Sequence, residues 1–251
     1  MRTPDYCKMT LIGKTALITG GGTGIGAAIA LAFAGAGCRV AISGRRKEKL
    51  DQVELSFSGE PPVLTHPVDV ADRGSVATLF EWASGALGEI DILINSAGVN
   101  VKNRSMGEVS PEDWDYLLDV NVTGVYNCMR AVLPGMRERR DGLIVNISSL
   151  AGIRASLLGG VGYTASKFGM SALGLTVALE EKDHGIRVTN IYPGEVETPI
   201  LDHRPAPVSV EHRARILQPE DVAAAVLMVA NLPPRAHVPE LTIKPTTQAF
   251  Q

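Results

Sequence analysis

The chain is poor in cysteine, in surplus charge and in long apolar runs, and each shortage removes a class of protein. Three cysteines among 251 residues, Cys7, Cys38 and Cys128, are odd in number and too widely spaced for a metal site or a disulfide framework. They read as reduced, mostly buried thiols in a cytoplasm-like compartment. Basic residues do not outnumber acidic ones: 24 against 27 gives a net charge of -3, which leaves no field to attract nucleic acid or an anionic membrane. The longest apolar stretches, such as Val222 to Ala230, fall short of a membrane span. Met1 to Met9 lacks the apolar segment and small-residue cleavage site of a secretion signal, and residues 1–8 read as a flexible tail. The five histidines have no paired spacing with Cys or carboxylates, so no metal is expected. Solenoid-period repeats, low-complexity tracts and inter-domain linkers are also missing.

What is there suits one large globular domain, residues 1–251, with 45% hydrophobic and 20% charged residues. Short runs of Val, Ile and Leu alternate with longer helical patterns, the signature of repeated βαβ units around a parallel sheet. Seven strands are expected near Thr15 to Thr19, Arg39 to Ser43, Val63 to Val68, Ile90 to Asn95, Leu143 to Ser148, Arg187 to Tyr192 and Leu241 to Ile243. The expected fold is an α/β, Rossmann-type doubly wound parallel sheet with helices on both faces. A first helix should open at Gly24 and close at Gly35-Ala36-Gly37. Ser110-Pro111-Glu112-Asp113 supplies a cap, a first-turn proline and early carboxylates for one long helix through about Arg139. Gln218-Pro219-Glu220-Asp221 repeats that start weakly. Ile200 to Leu217 matches no regular pattern and has the character of a lid.

Two motifs carry chemistry. In Thr19-Gly20-Gly21-Gly22-Thr23-Gly24-Ile25-Gly26 a strand ends, glycines turn and a helix begins, so bare amides can approach a pyrophosphate at the positive helix end. In Tyr163-Thr164-Ala165-Ser166-Lys167 the phenol and the ammonium are helical neighbours. A cation there favours phenolate and would pull the phenol down from its usual value of about 10, as a general acid/base for alcohol and carbonyl chemistry needs. Together they suggest hydride transfer. Strand two ends in Ser43-Gly44-Arg45-Arg46 where an NAD site would place an acid on the ribose hydroxyls, so Arg45 and Arg46 favour NADP, with NAD as the alternative.

With these residues in hand, the sequence resembles the short-chain dehydrogenase/reductase family over nearly its whole length. The ordered motifs are the glycine turn, Asp69-Val70, Asn95-Ser96-Ala97-Gly98, Asn121, Ile147-Ser148-Ser149, Tyr163-x-x-x-Lys167 and Pro193-Gly194-Glu195-Val196-Glu197-Thr198-Pro199. The resemblance implies a catalytic tetrad of Asn121, Ser149, Tyr163 and Lys167, in which Asn121 holds a proton-relay water. It also implies cofactor contacts from Gly20, Thr23, Gly24, Ile25 and Gly26, from Asp69 and Val70, and from Asn95, Ala97 and Gly98. Tyr163 and Lys167 would touch the nicotinamide end, with Pro193, Gly194, Val196 and Thr198. Ser148 is a weaker candidate than Ser149. Ser96 stands where the family usually has a second asparagine, and the interval from Ser149 to Tyr163 is about one residue longer than is common.

Pro239 to Thr246 resembles the segment of NADP-dependent 3-hydroxy acid and serine dehydrogenases, which makes a 3-hydroxy acid a candidate substrate. The rival within the enzymes is a 3-oxoacyl-[acyl-carrier-protein] reductase; the rival from another class is a non-catalytic dinucleotide sensor. Apolar residues such as Val120, Val125, Leu173, Leu175 and Val177 on more than one helix face, and the resemblance itself, point to a homodimer or homotetramer. The substrate pocket is expected from Val99 to Met106, Ile153 to Gly162 and Ile200 to Leu217.

Overall fold

In the structure, a computed structural model, residues 9–248 are described. The expected tail, and Cys7 within it, lies outside the described residues. Strand β1 (Thr15–Thr19) is buried along its whole length, as its apolar centre Ala16-Leu17-Ile18 suits a strand covered on both faces. Around it the sheet has seven parallel strands in the order β3-β2-β1-β4-β5-β6-β7. The others are β2 (Arg39–Gly44), β3 (Leu64–Pro67), β4 (Ile92–Asn95), β5 (Gly142–Ile147), β6 (Ile186–Pro193) and β7 (Glu240–Ile243). Each falls within two residues of its expected limits.

Chain order runs outward from β1 to β3, then returns to β4 on the other side of β1 and runs outward again. The reversal opens a crevice at the carboxyl ends of β1 and β4, where Thr19 stands beside Asn95. Period-two alternation sends Ile18, Ile94 and Val145 into one core layer and Leu17, Leu93 and Ile144 into the other. The first layer packs on α1 (Gly24–Gly35) and α8 (Pro219–Ala230), the second on α3 (Arg73–Leu87), α5 (Gly124–Arg139) and α6 (Val161–Glu181). Short α2 (Lys47–Ser56) follows β2.

The start and stop signals act where expected. Helix α1 ends at Gly35, and Gly37 takes a φ of 85°. Ser110 Oγ accepts from the Asp113 amide at 3.0 Å to open α4 (Pro111–Leu118). Gln218 and Asp221 form a reciprocal capping box. The expected single helix from Pro111 to Arg139 is interrupted, however: a π-helical turn at Asp119–Thr123 separates α4 from α5. Turns of that kind insert one residue and re-aim side chains, often at functional sites.

Ile200 to Leu217 begins within a 3-10 turn (Pro199–His203) and includes one helical turn, α7 (Val210–Arg213). Charge pairs fix it: Glu195 accepts from Arg204 at 2.8 Å and meets His212 at 2.7 Å, while Arg213 bridges Glu197 and Asp202. Val120, Val125 and Val177, expected as interface candidates, belong to the molecule's own core. The exposed apolar side chains of α5 and α6 are instead Tyr126, Phe168 and Leu179.

Candidate active site

A cavity of about 980 Å³ fills the crevice, near the top of the range of about 300–1,000 Å³ for small-molecule sites. Its two ends differ in chemistry.

At one end the glycine turn leaves β1 and enters α1. Gly20 has a φ of 68°, and a Cβ there would lie 2.6 Å from the Ala97 amide nitrogen, so only glycine lets the turn lie against the Ser96-Ala97 backbone. Gly20, Thr23, Gly24 and Ile25 line the cavity at the amino end of α1, whose first turn carries no acidic side chain. Open amides, a helix N-terminus and no competing carboxylate fit a pyrophosphate. Arg45, Arg46 and Lys49 form the adjoining wall with Asp69 and Val70. Arg45 donates to the Tyr116 hydroxyl at 2.7 Å and stands 5.6 Å over its ring, and both residues line the cavity. Asp69 Oδ1 accepts from the Ala71 amide at 3.0 Å, and Asn127 holds the Val70 carbonyl at 3.0 Å. The residues present fit a dinucleotide.

At the other end β5 delivers Ser148 and Ser149, and the first turns of α6 deliver Tyr163 and Lys167. Ser149 caps a short 3-10 turn, accepting from the Ala151 amide at 3.1 Å, and its side chain is close enough to the Tyr163 phenol to favour the phenolate. The Ser148 hydroxyl is engaged elsewhere, donating to Lys167 O at 3.3 Å and pairing with the Ser171 hydroxyl at 3.0 Å, which leaves Ser149 as the serine that acts on the phenol. Lys167 is 3% exposed; its Nζ donates to Ile147 O at 2.9 Å and lies 5.7 Å from the Tyr163 ring centre. A Cβ on Gly98 would be 3.4 Å from that Nζ, so the bare glycine opens the space in front of the amine.

The electrostatics differ from the expectation drawn from spacing. Burial raises the Tyr163 phenol above its usual range, while the Ser149 hydrogen bond and the charge of Arg104 oppose that rise. Lys167 is itself pushed down to about 7 by burial. Burial works against charge on both groups, and Arg104, rather than Lys167, is the cation that favours phenolate here.

Three expected site residues stand behind the wall. Asn121, in the π-helical turn, is fully buried; its amide spans the Val99 backbone, accepting from N at 2.9 Å and donating to O at 3.0 Å, and also donates to Ser166. It braces the strand exit and α6. Asn95 lies within the sheet and donates to Asn146 at 2.9 Å, which donates to Asn190 at 3.0 Å, which donates to Ser171 O at 2.9 Å. Gly26 underlies the turn, where a Cβ would lie 2.3 Å from Gly20 O. Ala97, Pro193, Gly194, Val196 and Thr198 reach the cavity. The Asn146-Asn190 ladder was not anticipated, although polar residues inside apolar strand patterns were its signal. Arg104, in the same cavity, was also missed.

A nucleotide cradle and a hydroxyl pair at the switch point of a parallel sheet define a dinucleotide-dependent oxidoreductase. The sequence model of the short chain dehydrogenases matches residues 14–208. The chain belongs to the short-chain dehydrogenase/reductase family. It is similar to an uncharacterized oxidoreductase of Staphylococcus aureus strain USA300, 34% identical over 235 residues, 94% of this chain and 98% of that one. Among solved structures it is similar to the closed form of a serine dehydrogenase complexed with NADP+ (31% identity, TM-score 0.85, 94% of this chain and 96% of that chain). It is equally similar in fold to 3-ketoacyl-(acyl-carrier-protein) reductase from Brucella melitensis complexed with NADH (30% identity, TM-score 0.85, 94% and 98%).

Proposed function

We propose that the protein interconverts an alcohol and a carbonyl compound with NADP(H) in preference to NAD(H), acting on a 3-hydroxy acid or its oxo counterpart. The observation that carries this reading is that Ser149, Tyr163 and Lys167 line the same cavity as the glycine turn, with the serine hydroxyl acting on the phenol and the amine 5.7 Å from its ring centre. When bound, the nicotinamide supplies the hydride acceptor or donor. Ser149 orients the substrate oxygen by hydrogen bonding; in reduction the Tyr163 phenol gives its proton to the carbonyl oxygen, and in oxidation Tyr163 takes the hydroxyl proton as the phenolate, after its own proton has left toward the Lys167 amine. Lys167 Nζ, beside Gly98, would hold ribose hydroxyls and exchange a proton with the phenol. Asn121 acts one layer back, fixing Val99 and Ser166 so that α6 presents Tyr163 and Lys167 in register.

NADP is favoured because Arg45, Arg46 and Lys49 flank the cavity beyond β2 with no acid in their place, so a 2′-phosphate would meet guanidinium forks. Arg45→Asp should raise the KM for NADP far more than that for NAD; equal effects would count against the phosphate role. A substrate panel separates the enzyme readings. Oxidation of 3-hydroxy acids or serine supports this one, turnover confined to acyl-carrier thioesters replaces it with the 3-oxoacyl reductase, and cofactor binding without turnover of any alcohol leaves a dinucleotide sensor. Exposed Phe168 and Leu179 on α6 (42% and 69% exposed) support assembly into a homodimer or homotetramer, which light scattering tests.

A further inference from the structure

Arg104 sits in the loop after β4 and is 7% exposed. Its two Nη groups donate to the carbonyl oxygens of Leu158, at 2.8 Å, and His203, while its Nε finds no acceptor among the described residues. Carbonyl dipoles do not balance a full charge. A buried guanidinium is expected to pair with an anion. No ion pair among the described residues includes Arg104, and Glu195, an acid in the same wall, is already engaged by Arg204 and His212. Arg204 is a second cation near enough to hold the Arg104 guanidinium below its usual range, with burial as the larger cause. The substrate end of the cavity thus carries positive charge its own acids leave uncompensated.

The position of Arg104 ties that charge to the chemistry. Its carbonyl accepts from the Val161 amide at 3.0 Å, and a Cβ on Gly160 would lie 2.5 Å from its own Cβ, so its stem rests on the turn that opens α6 just ahead of Tyr163. The same side chain joins the loop at Leu158 to the segment at His203, two of the three walls expected to form the substrate pocket.

We infer that Arg104 anchors a carboxylate of the substrate through its guanidinium, which lines the cavity and lacks any anionic partner among the described residues, so that the enzyme selects hydroxy or oxo acids over neutral alcohols, ketones and esters. This rests on the redox reading of Tyr163 and Ser149, and adds the residue that sets substrate charge. Guanidinium forks match carboxylates in two parallel hydrogen bonds, and neutral isosteres leave those donors stranded.

The test measures binding apart from turnover. Tyr163→Phe protein loaded with NADP+ is titrated calorimetrically with 3-hydroxypropionate and 3-hydroxybutyrate, each against its methyl ester. The acids should bind at least about 10-fold more tightly than the esters, as a charge-assisted hydrogen bond implies. Adding Arg104→Met should weaken acid binding by about 10–100-fold and leave ester binding within about twofold; Arg104→Lys should recover part of the loss. Esters binding as well as acids, no acid binding at all, or acid and ester weakening together in Arg104→Met would each overturn the assignment. If Arg104→Met does not fold, the acid-to-ester ratio of the protein with Arg104 in place still decides. Acid-selective binding without NADPH formation by the unmutated protein would uphold the anchor and end the redox reading instead.

Discussion

Replacing Gly26 by alanine sets two effects of opposite sign against each other. Alanine inside a helix is favoured over glycine by about 1 kcal/mol, so propensity alone predicts a more stable α1. The added Cβ, however, would stand 2.3 Å from the Gly20 carbonyl oxygen and 3.2 Å from Gly21 Cα. Non-bonded heavy atoms rest at about 3.5 Å, so the turn and the helix must part by about 1 Å. Both atoms are backbone, which leaves no rotamer to absorb the contact. Overpacking of this kind costs about 1–3 kcal/mol, enough to cancel the propensity gain or exceed it. The larger effect falls on function, because the amides that face the pyrophosphate are displaced. A shift of about 1 Å in a positioned site is worth on the order of 100-fold. Titration of NADPH fluorescence should show weakening between about 10-fold and 100-fold, while urea denaturation shows stability lowered by about 2 kcal/mol or less. Unchanged Kd with raised stability would refute the packing of α1 under the glycine turn.

Two further expectations concern the lysine and the asparagine ladder. Lys167 has its amine pushed down to about 7 from an ordinary value of 10.5. Between those values the unfolded chain binds the extra proton, so this group makes the ligand-free protein more stable as pH rises through that window. The melting temperature measured relative to Lys167→Met should therefore climb from pH 7 to pH 9, and a flat difference would contradict the burial of the amine. Asn146→Ala strands the Asn95 amide and the Asn190 carbonyl inside the sheet, at about 1–3 kcal/mol for each stranded group. Urea denaturation should resolve that loss, and a change below about 1 kcal/mol would mean that the ladder is not a stabilising network.

The fold was legible because it is written in local patterns. Seven apolar runs separated by helical periods allow little besides a parallel sheet, and caps such as Ser110 and Gly37 act over three or four residues. The nucleotide end was legible for the same reason: Gly20 to Gly26 and Arg45-Arg46 are contiguous, and one turn of backbone brings them together. What stayed hidden depends on distant partners. The π-helical turn at Asp119–Thr123 lies within a pattern that is helical on both sides, and Asn121 is the residue whose odd propensity hinted at it. Arg104 is a lone cation in a loop, and its meaning comes from Leu158, His203 and Val161, all at least 54 positions away. Spacing placed Lys167 beside Tyr163 correctly. It could not show that Ile147 O takes the amine, or that burial pushes the amine down and the phenol up. Asn95 belonged to a recognisable motif, yet its side chain serves the sheet, a choice fixed by the register that sets it opposite Asn146.

The central claim is that the Tyr163 hydroxyl moves the proton while the glycine turn holds the nucleotide, and Tyr163→Phe separates the two. Single-turnover absorbance of NADPH, measured alongside NADPH titration of the same preparation, is the most direct check. The variant should bind NADPH within about twofold of the unmodified enzyme and lose carbonyl reduction by a factor of about 100 or more, the low end of what a positioned general acid contributes. Reduction at an unchanged rate would contradict the account.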